Sequence, residues 1–311
     1  MHNSQRLNVL LITSFHRSGS SMVGKILSNS GLFVGENLIQ GAYSNPDGHY
    51  EDFEIVQAQE NILTKGGSSW QFDGSKPLFV DEEDINSLAG LVASRCQNHS
   101  LWGFKDPRSC LFLEDWAKIL GETGNYLFLY RHYHQCIASL YRRHSRIICI
   151  DQIGKDNLHK IAHHLNFWAD GNLASRMWIA YNRRLLNFYK KNRNRSLLIS
   201  QQAVLSGYPL IQVLNNKFNF TLNTDYRNII KKEYVHNQIC RSEIKGISHA
   251  LIEEMDDLWD EINHYADAPA LTPDPDTIES QLDLPGEIES LILCFNASYN
   301  KKTTDLIDAE Q

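Results

Sequence analysis

The sequence predicts an α/β protein with a central, mainly parallel β-sheet flanked by helices. Three observations support this prediction: four apolar runs are short and lack alternation, helical patterns separate them, and 311 residues allow a large core. A short apolar run without alternation indicates a strand that is buried on both faces, as in parallel sheets. The four runs are Leu7–Ile12, Leu101–Phe104, Tyr126–Tyr130 and Ser196–Ile199.

The first strand leads into a polar loop and then a helix, whose apolar residues recur at helical spacing: Met22, Val23, Ile26 and Leu27. Further helices are predicted over Leu158–Tyr189 (as one helix, or as two with a break near Gly171), Pro209–Phe218 and Glu243–Tyr265. The basic end of the first of these segments is interpreted as a solvated helix end rather than a ligand site. We expect a single domain over residues 1–311, with a core over about 7–220 and a helical extension with a Pro-rich acidic loop over about 221–311.

The composition narrows the class of protein. The formal net charge of -7 argues against a general nucleic-acid binder, although it leaves room for a local basic pocket. No pair of the six cysteines has C-x-x-C spacing, so neither a zinc site nor a redox-active dithiol is indicated. The apolar runs are too short for a secretory signal or a membrane span, and we expect a cytoplasmic protein.

The loop after the first strand has the composition of an anion-binding site. Its backbone N–H groups and the positive end of the following helix dipole would converge on one point. Gly19 lets the backbone approach a ligand closely, and Arg17 adds a permanent cation. Hydroxyl donors come from Ser18, Ser20 and Ser21. The alternative is an ordinary Ser/Gly turn after an edge strand.

The same loop departs from the ATP-binding phosphate loop, which reads Gly-x-x-x-x-Gly-Lys followed by Ser or Thr. Gly19 stands at the second glycine, but Ser14 replaces the first glycine and Ser20 replaces the lysine. Magnesium-linked ATP chemistry is therefore disfavoured, and we expect an anion that is bound without a metal.

Charged residues follow the second and third strands, at the edge where open α/β sheets bind their ligands. Arg131 comes directly after the third strand, and Ser139 stands eight residues later, about two turns into the next helix. A guanidinium fork and a hydroxyl so placed can bind one phosphate. Lys105 ends the second strand at the same edge. We expect Asp106 to anchor Lys105 or Arg108 rather than to act as a base.

Together, these pieces resemble the sulfotransferase family that uses 3′-phosphoadenosine 5′-phosphosulfate (PAPS). Many members carry Pro, Lys or Arg, Ser, Gly and two Ser or Thr in the first loop, and here His16 stands in place of the proline. The resemblance covers about residues 7–220 and implies a P-loop NTPase-like three-layer fold. It assigns the 5′-phosphosulfate to His16, Arg17, Ser18, Gly19, Ser20 and Ser21, and the 3′-phosphate to Arg131 and Ser139.

The sequence also departs from the cytosolic members of this family. Their Arg-Lys-Gly loop and their histidine base are absent, and Met22 replaces the aromatic residue that follows their first loop. Ser200 and Gln201 replace the usual Tyr-Glu after the fourth strand. These differences point toward the bacterial or Golgi-like branches.

The resemblance implies transfer of a sulfuryl group from PAPS to a hydroxyl or amine, which leaves adenosine 3′,5′-bisphosphate and requires no metal. Arg17 and the loop amides would stabilise charge on the leaving phosphate, with Lys105 as a helper. A base must take the proton of the acceptor. The candidates for this base are Glu36, Glu51 and His49.

Two other functions stay open: a P-loop nucleotide or small-molecule kinase, and a non-catalytic nucleotide-binding module on the same fold. The kinase would need a lysine after Gly19, and the module would not need the charged residues of the site. The acceptor is expected to be a small molecule, carbohydrate, lipid or peptide, in a pocket shaped by helices after residue 140 and by Gly41–Ser69. The oligomeric state is left open, with a homodimer as one option.

Overall fold

The computed structural model describes residues 7–41, 48–150, 158–225 and 247–271. Four parallel strands form one sheet in the order β2-β1-β3-β4. They are β1 Asn8–Ser14, β2 Leu101–Lys105, β3 Gly124–Tyr130 and β4 Ser196–Ser200. β2 and β3 lie on opposite sides of β1, so the direction in which successive strands are added to the sheet reverses at β1. Ligands of open α/β sheets bind at the carboxyl ends of strands at such a point.

Ten α-helices flank the sheet within the described ranges. The first five are α1 Ser20–Asn29, α2 Phe53–Lys65, α3 Glu82–Asn98, α4 Leu113–Leu120 and α5 Tyr133–Ile150. The others are α6 Leu158–Ala169, α7 Leu173–Lys191, α8 Gln201–Leu205, α9 Leu210–Phe218 and α10 His249–Tyr265. A short 3-10 helix over Pro107–Phe112 joins β2 to α4.

The sheet is the middle layer of three, because successive residues of β1 face opposite sides. Leu10 and Ile12 pack against the apolar faces of α1 and α9. Val9 and Leu11 belong to a larger core on the other side, with residues of α2 to α7 and α10. The predicted α/β fold with a central parallel sheet is thereby confirmed.

The strands predicted from the sequence are confirmed to within two residues: β1 ends at Ser14 rather than Ile12, and β3 begins at Gly124 rather than Tyr126. The predicted break near Gly171 separates α6 from α7. The predicted start of the last described helix is wrong at residues 247 and 248, because Ser248 has an extended backbone and α10 begins at His249. The remainder of the extension, residues 272–311, lies outside the described residues, and the single domain stays a prediction.

Both edges of the sheet are covered by single bridging residues. Phe33 forms a parallel bridge with Trp102, and its carbonyl accepts a hydrogen bond from the N–H of Gly103 at 2.8 Å. Ala268 forms the equivalent bridge with Ile199 on the far side of β4. These contacts satisfy backbone groups that an open edge would expose.

The basic end of α7 is engaged in ion pairs at the surface of the protein. Arg183 pairs with Glu254 at 2.7 Å, and Lys190 pairs with Glu261, so that α7 is joined to the acidic face of α10. Lys191 lies 3.3 Å from Glu114 of α4. These contacts agree with the interpretation of this end as a surface feature rather than a ligand site.

A buried ion pair holds the segment that leads into α2. Arg95 of α3 donates to both carboxylate oxygens of Asp52, and the two side chains are almost completely buried. The same carboxylate caps α2 through the N–H of Glu54 at 3.1 Å. The N–H of Ile39 binds the carbonyl of Glu51 at 2.9 Å. This segment therefore has a fixed position beside the end of β2.

Two glycine substitutions should change stability in opposite directions. In Gly103→Ala the new methyl group would lie 2.6 Å from the carbonyl oxygen of Leu10 on the neighbouring strand, which forces the strands apart. We expect a loss of about 1–3 kcal/mol in the free energy of unfolding. In the control, Gly90→Ala, the methyl group meets no atom within 4 Å and lies within a helix, so a gain of about 0.5–1 kcal/mol is expected. Urea denaturation measures both, and equal effects would contradict the packing of β1 against β2.

Candidate functional site

The loop between Ser14 and Ser20 is shaped by two residues with left-handed backbone. Gly19, at the N-cap of α1, has φ 89°, a conformation that favours glycine. Arg17 has φ 67°, which is unusual for a residue with a Cβ atom. Such conformations persist where surrounding contacts hold them, and they cluster at ligand-binding loops. Contacts with surrounding residues therefore impose the shape of the loop that precedes α1.

Residues from two distant parts of the sequence meet at this loop. The Nε of Arg17 donates to the Oγ of Ser139 on α5 at 2.9 Å. The Nη1 of Arg131 donates to the backbone carbonyl of Arg17 at 3.1 Å, while its Nε donates to Gln135 at 3.0 Å. Burial and the charge of Arg143 lower the pKa of Arg17 to about 10, so its guanidinium is still protonated at neutral pH. The structure thus joins the loop to the arginine–serine pair after β3.

A second cation reaches the loop from β2. The Nζ of Lys105 lies 2.5 Å from Oε1 of Glu51, 3.1 Å from the carbonyl oxygen of His49 and 3.2 Å from the Oγ of Ser21. Lys105 and Glu51 are only 2% and 6% exposed. Burial opposes ionisation of Glu51, but the charges of Lys105 and Arg108 prevail and lower its pKa. Lys105 therefore brings to the first turn of α1 an ammonium group that the loop itself lacks.

Asp106 anchors Arg108, as the sequence analysis expected. The Nη1 of Arg108 lies 2.8 Å from Oδ1 of Asp106, and the other carboxylate oxygen accepts from Gln59 at 2.7 Å. Arg108 also pairs with Glu60 and lies 3.8 Å from Oε2 of Glu51. Burial raises the pKa of Asp106 to about 6, although the charge of Arg108 opposes that rise. Asp106 is thus occupied in holding the segment after β2.

The three candidate bases lie in different environments. Glu51 is buried in the ion pair with Lys105. His49 is half-buried, and burial together with the positive charge of Lys105 lowers its pKa to about 4 even though Glu51 opposes that shift. Glu36 is exposed, on the loop between α1 and α2, beside Gly35, which packs against Asp52. Of the three, Glu51 and His49 belong to the same group of contacts as Lys105.

The remaining loop side chains face inward. Ser18 is fully buried, with its Oγ 3.5 Å from the Sγ of Cys136 on α5. The ring of His16 packs edge-on against Trp70 at 4.9 Å and Tyr181 at 5.4 Å. Burial, and the charge of Arg108 after it, lower the pKa of His16 well below its usual range, so the ring is neutral. Its Nε2 is buried and has no hydrogen-bond partner among the described residues.

Gln201 is a site residue that the sequence analysis did not assign. It is the first residue of α8, directly after β4, and its side chain lies over Gly19. A Cβ atom on Gly19 would be 3.0 Å from the Cγ and Nε2 atoms of Gln201. The backbone conformation therefore favours glycine at this position, and a larger residue would also have to displace the side chain of Gln201. The position of Gln201 after a parallel strand was the available signal.

Arg143 is a second residue that the sequence analysis did not assign. It stands on α5 one turn after Ser139, so the two side chains share a face of the helix. Its Nε is buried without a hydrogen-bond partner among the described residues. Its charge contributes to lowering the pKa values of Arg17, His16 and His49, which places it close to the loop. The four-residue spacing from Ser139 could have identified it.

Other parts of the described structure add little to this site. A cavity of about 510 Å³ lies between the loop that precedes α3 and helices α6 and α7. None of its lining residues is a predicted catalytic or nucleotide-binding residue, but Gly67, Ser68 and Ser69 belong to the segment that was expected to shape the acceptor pocket. Across the described ranges, no three His, Cys, Asp or Glu side chains are grouped to hold a metal ion. No described helix combines the length and the apolar character that crossing a membrane requires.

Comparison with known proteins gives structural similarity only. No protein-family profile matches the chain, and no curated protein matches its sequence. The structure is similar to the sulfotransferase domain from the curacin biosynthetic pathway, at 15% identity and a TM-score of 0.41, over 73% of this chain and 79% of that chain. It is also similar to the sulfotransferase STF1 from Mycobacterium tuberculosis, at 12% identity and a TM-score of 0.38, over 83% of this chain and 77% of that chain. Because both TM-scores are below 0.5, function is inferred from the geometry of the site.

Proposed function

We propose that the protein is a sulfotransferase that moves the sulfuryl group of PAPS to a hydroxyl or amine of an acceptor. The observation that carries this proposal is the pair of contacts from Arg17 to Ser139 and from Arg131 to the carbonyl of Arg17. PAPS carries anionic groups at both its 5′ and 3′ positions, so its protein needs two neighbouring anion sites. The loop with Arg17 and the Arg131–Ser139 pair supply two such sets of donors.

The donor chemistry of the site fits this nucleotide. The amides at the start of α1, with Arg17 and Lys105, suit the 5′-phosphosulfate, and Ser21 adds a hydroxyl that is already in contact with Lys105. The buried Nε2 of His16 lacks a partner in the described structure, which is costly unless a ligand provides one. We assign the 3′-phosphate to Arg131 and Ser139.

Catalysis would rest on fixed positive charge. When bound, PAPS supplies a sulfuryl group activated by its phosphate leaving group. Arg17 and Lys105 would stabilise the negative charge that develops on that phosphate, and burial strengthens their effect because water screens them poorly. Glu51 keeps Lys105 in place through the 2.5 Å contact, and Arg131 holds the loop through the carbonyl of Arg17.

The base that takes the acceptor proton is proposed to be Glu51 or His49 rather than Glu36. Glu51 and His49 both contact Lys105, one through its carboxylate and the other through its backbone carbonyl. Both are in the proton-accepting form at neutral pH, because their pKa values lie below the usual range. Glu36 is exposed, outside this group of contacts.

The acceptor is proposed to be a small molecule, carbohydrate, lipid or peptide that carries a hydroxyl or amine. Trp70, which packs against His16 of the loop, offers a large aromatic surface for it. The cytoplasmic location, the absence of a nucleic-acid partner and the oligomeric state stay predictions.

The first prediction concerns the 3′-phosphate. The wild-type protein should bind adenosine 3′,5′-bisphosphate without magnesium, and more tightly than adenosine 5′-phosphate. In Arg131→Ala this preference should fall roughly 10- to 100-fold, because a charged hydrogen bond contributes about 1.5–3 kcal/mol. Calorimetric titration of both nucleotides measures the preference. Equal loss of affinity for both would contradict the assignment, and preference for ATP with magnesium would indicate a kinase.

The second prediction concerns the loop cation. Arg17→Ala should lower kcat by about 100-fold, since its charge is needed most when charge develops on the leaving phosphate. Affinity for adenosine 3′,5′-bisphosphate should fall much less. Release of this product from PAPS, followed with a panel of hydroxyl acceptors, measures kcat. Unchanged turnover in Arg17→Ala would remove Arg17 from catalysis.

The third prediction concerns the base. A base must be deprotonated to act, so activity should be lost only as the pH falls through its pKa. With His49 at about 4 and Glu51 below its usual value, kcat/KM should have no acid limb above about pH 5. Glu51→Gln or His49→Asn should lower kcat, whereas Glu36→Gln should not. An acid limb near the ordinary histidine value, or a large effect of Glu36→Gln alone, would contradict the assignment.

A further inference from the structure

We propose that the acceptor carries an anionic group, such as a carboxylate, in addition to its hydroxyl or amine, and that Arg143 binds this group. This inference rests on the proposed function and names a substrate class for the same site. It assigns Arg143 as a specificity-determining residue on the acceptor side of the loop.

Arg143 lies on a part of α5 whose residues contact both the nucleotide donors and an aromatic side chain. One turn before it, Ser139 receives the hydrogen bond from Arg17. Directly after it, His144 stacks on Trp70 with ring centroids 5.6 Å apart, and Trp70 also contacts His16 of the loop. Arg143 therefore belongs to the part of α5 that contacts the loop through Ser139 and Trp70 through His144.

Arg143 differs from the other cations of the site in its partners. Lys105 has the carboxylate of Glu51, and Arg108 has those of Asp106 and Glu60. The Nε of Arg143, in contrast, is buried and has no hydrogen-bond partner in the described part of the chain. A buried guanidinium donor without a partner is costly, and a ligand oxyanion would remove that cost.

The electrostatic neighbours of Arg143 include both base candidates as well as Arg17 of the loop. Among nearby charges, Glu51 acts on Arg143 most strongly and Arg108 follows. Arg143 in turn helps to lower the pKa of His49. Arg143 thus interacts electrostatically with both base candidates. The acceptor hydroxyl must come close to whichever of the two is the base. An anion on the acceptor can therefore reach Arg143 while its hydroxyl faces Glu51 or His49.

A matched pair of probes tests this inference. 4-Hydroxyphenylacetate and 4-hydroxyphenylacetamide have nearly the same shape and differ in charge. Each is titrated into the protein saturated with adenosine 3′,5′-bisphosphate, and binding is measured by calorimetry. The wild-type protein should bind the carboxylate at least about tenfold more tightly, as one charged hydrogen-bonding pair provides. Arg143→Gln should bind the two probes equally, and Arg143→Lys should keep part of the preference.

The control variant is Arg142→Gln, which removes the same charge from the neighbouring position of α5 and should keep the preference. A preference that survives Arg143→Gln, or a wild-type protein that binds neither probe or both equally, would overturn the inference. Weaker binding of adenosine 3′,5′-bisphosphate by Arg143→Gln, with the probe preference intact, would overturn it as well and move Arg143 to the nucleotide. Failure of the wild-type protein to bind adenosine 3′,5′-bisphosphate would instead overturn the proposed function.

Discussion

The burial of several cations at one edge of the sheet, where they also repel one another, is the constraint on which the site depends. Burial lowers the pKa values of several of their guanidinium groups, which shows that the protein environment disfavours their charge. Folding is compatible with this arrangement because the carboxylates of Glu51, Asp106 and Glu60 neutralise part of the positive charge. In addition, Arg131 donates to a backbone carbonyl and Arg17 donates to a hydroxyl oxygen. The cations are Arg17, Lys105, Arg108, Arg131 and Arg143. An anionic ligand would relieve the remaining repulsion and thereby stabilise the folded state.

Strand topology explains why these charges meet, and this part could be predicted from the sequence. Lys105 ends β2 and Arg131 directly follows β3, on the two sides of β1, so the edge that collects them follows from parallel strands. The apolar runs fixed the strands to within two residues because each is buried on both faces. The loop was recognisable because Gly19 and its serine neighbours stand between a strand and a helix. The spacing from Arg131 drew attention to Ser139, whose hydroxyl accepts a hydrogen bond from Arg17, and the joint role of Arg131 and Ser139 stays a prediction.

Side-chain partners across the fold could not be predicted, because they depend on how loops return to the sheet. The contact of Lys105 with Glu51 joins positions 54 residues apart and depends on a segment held by the Arg95–Asp52 pair. Gln201 over Gly19 depends on where α8 begins after β4. The spacing of residues within a short stretch of sequence does not predict such contacts. For this reason the sequence did not single out one of the three base candidates, and burial distinguishes them in the folded protein.

Because Arg143 helps to lower the pKa of His49, an anion bound to Arg143 would change the basicity of His49. The positive charges of Lys105 and Arg143 help burial to hold the pKa of His49 at about 4, which leaves the ring neutral but weakly basic. An anion placed on Arg143 would offset one of these charges and raise the pKa of His49 toward its ordinary value. A base is most effective when its pKa lies near the working pH. An acceptor that carries its own negative charge would therefore strengthen the nearby base as it binds, whereas a neutral acceptor would leave that base weak.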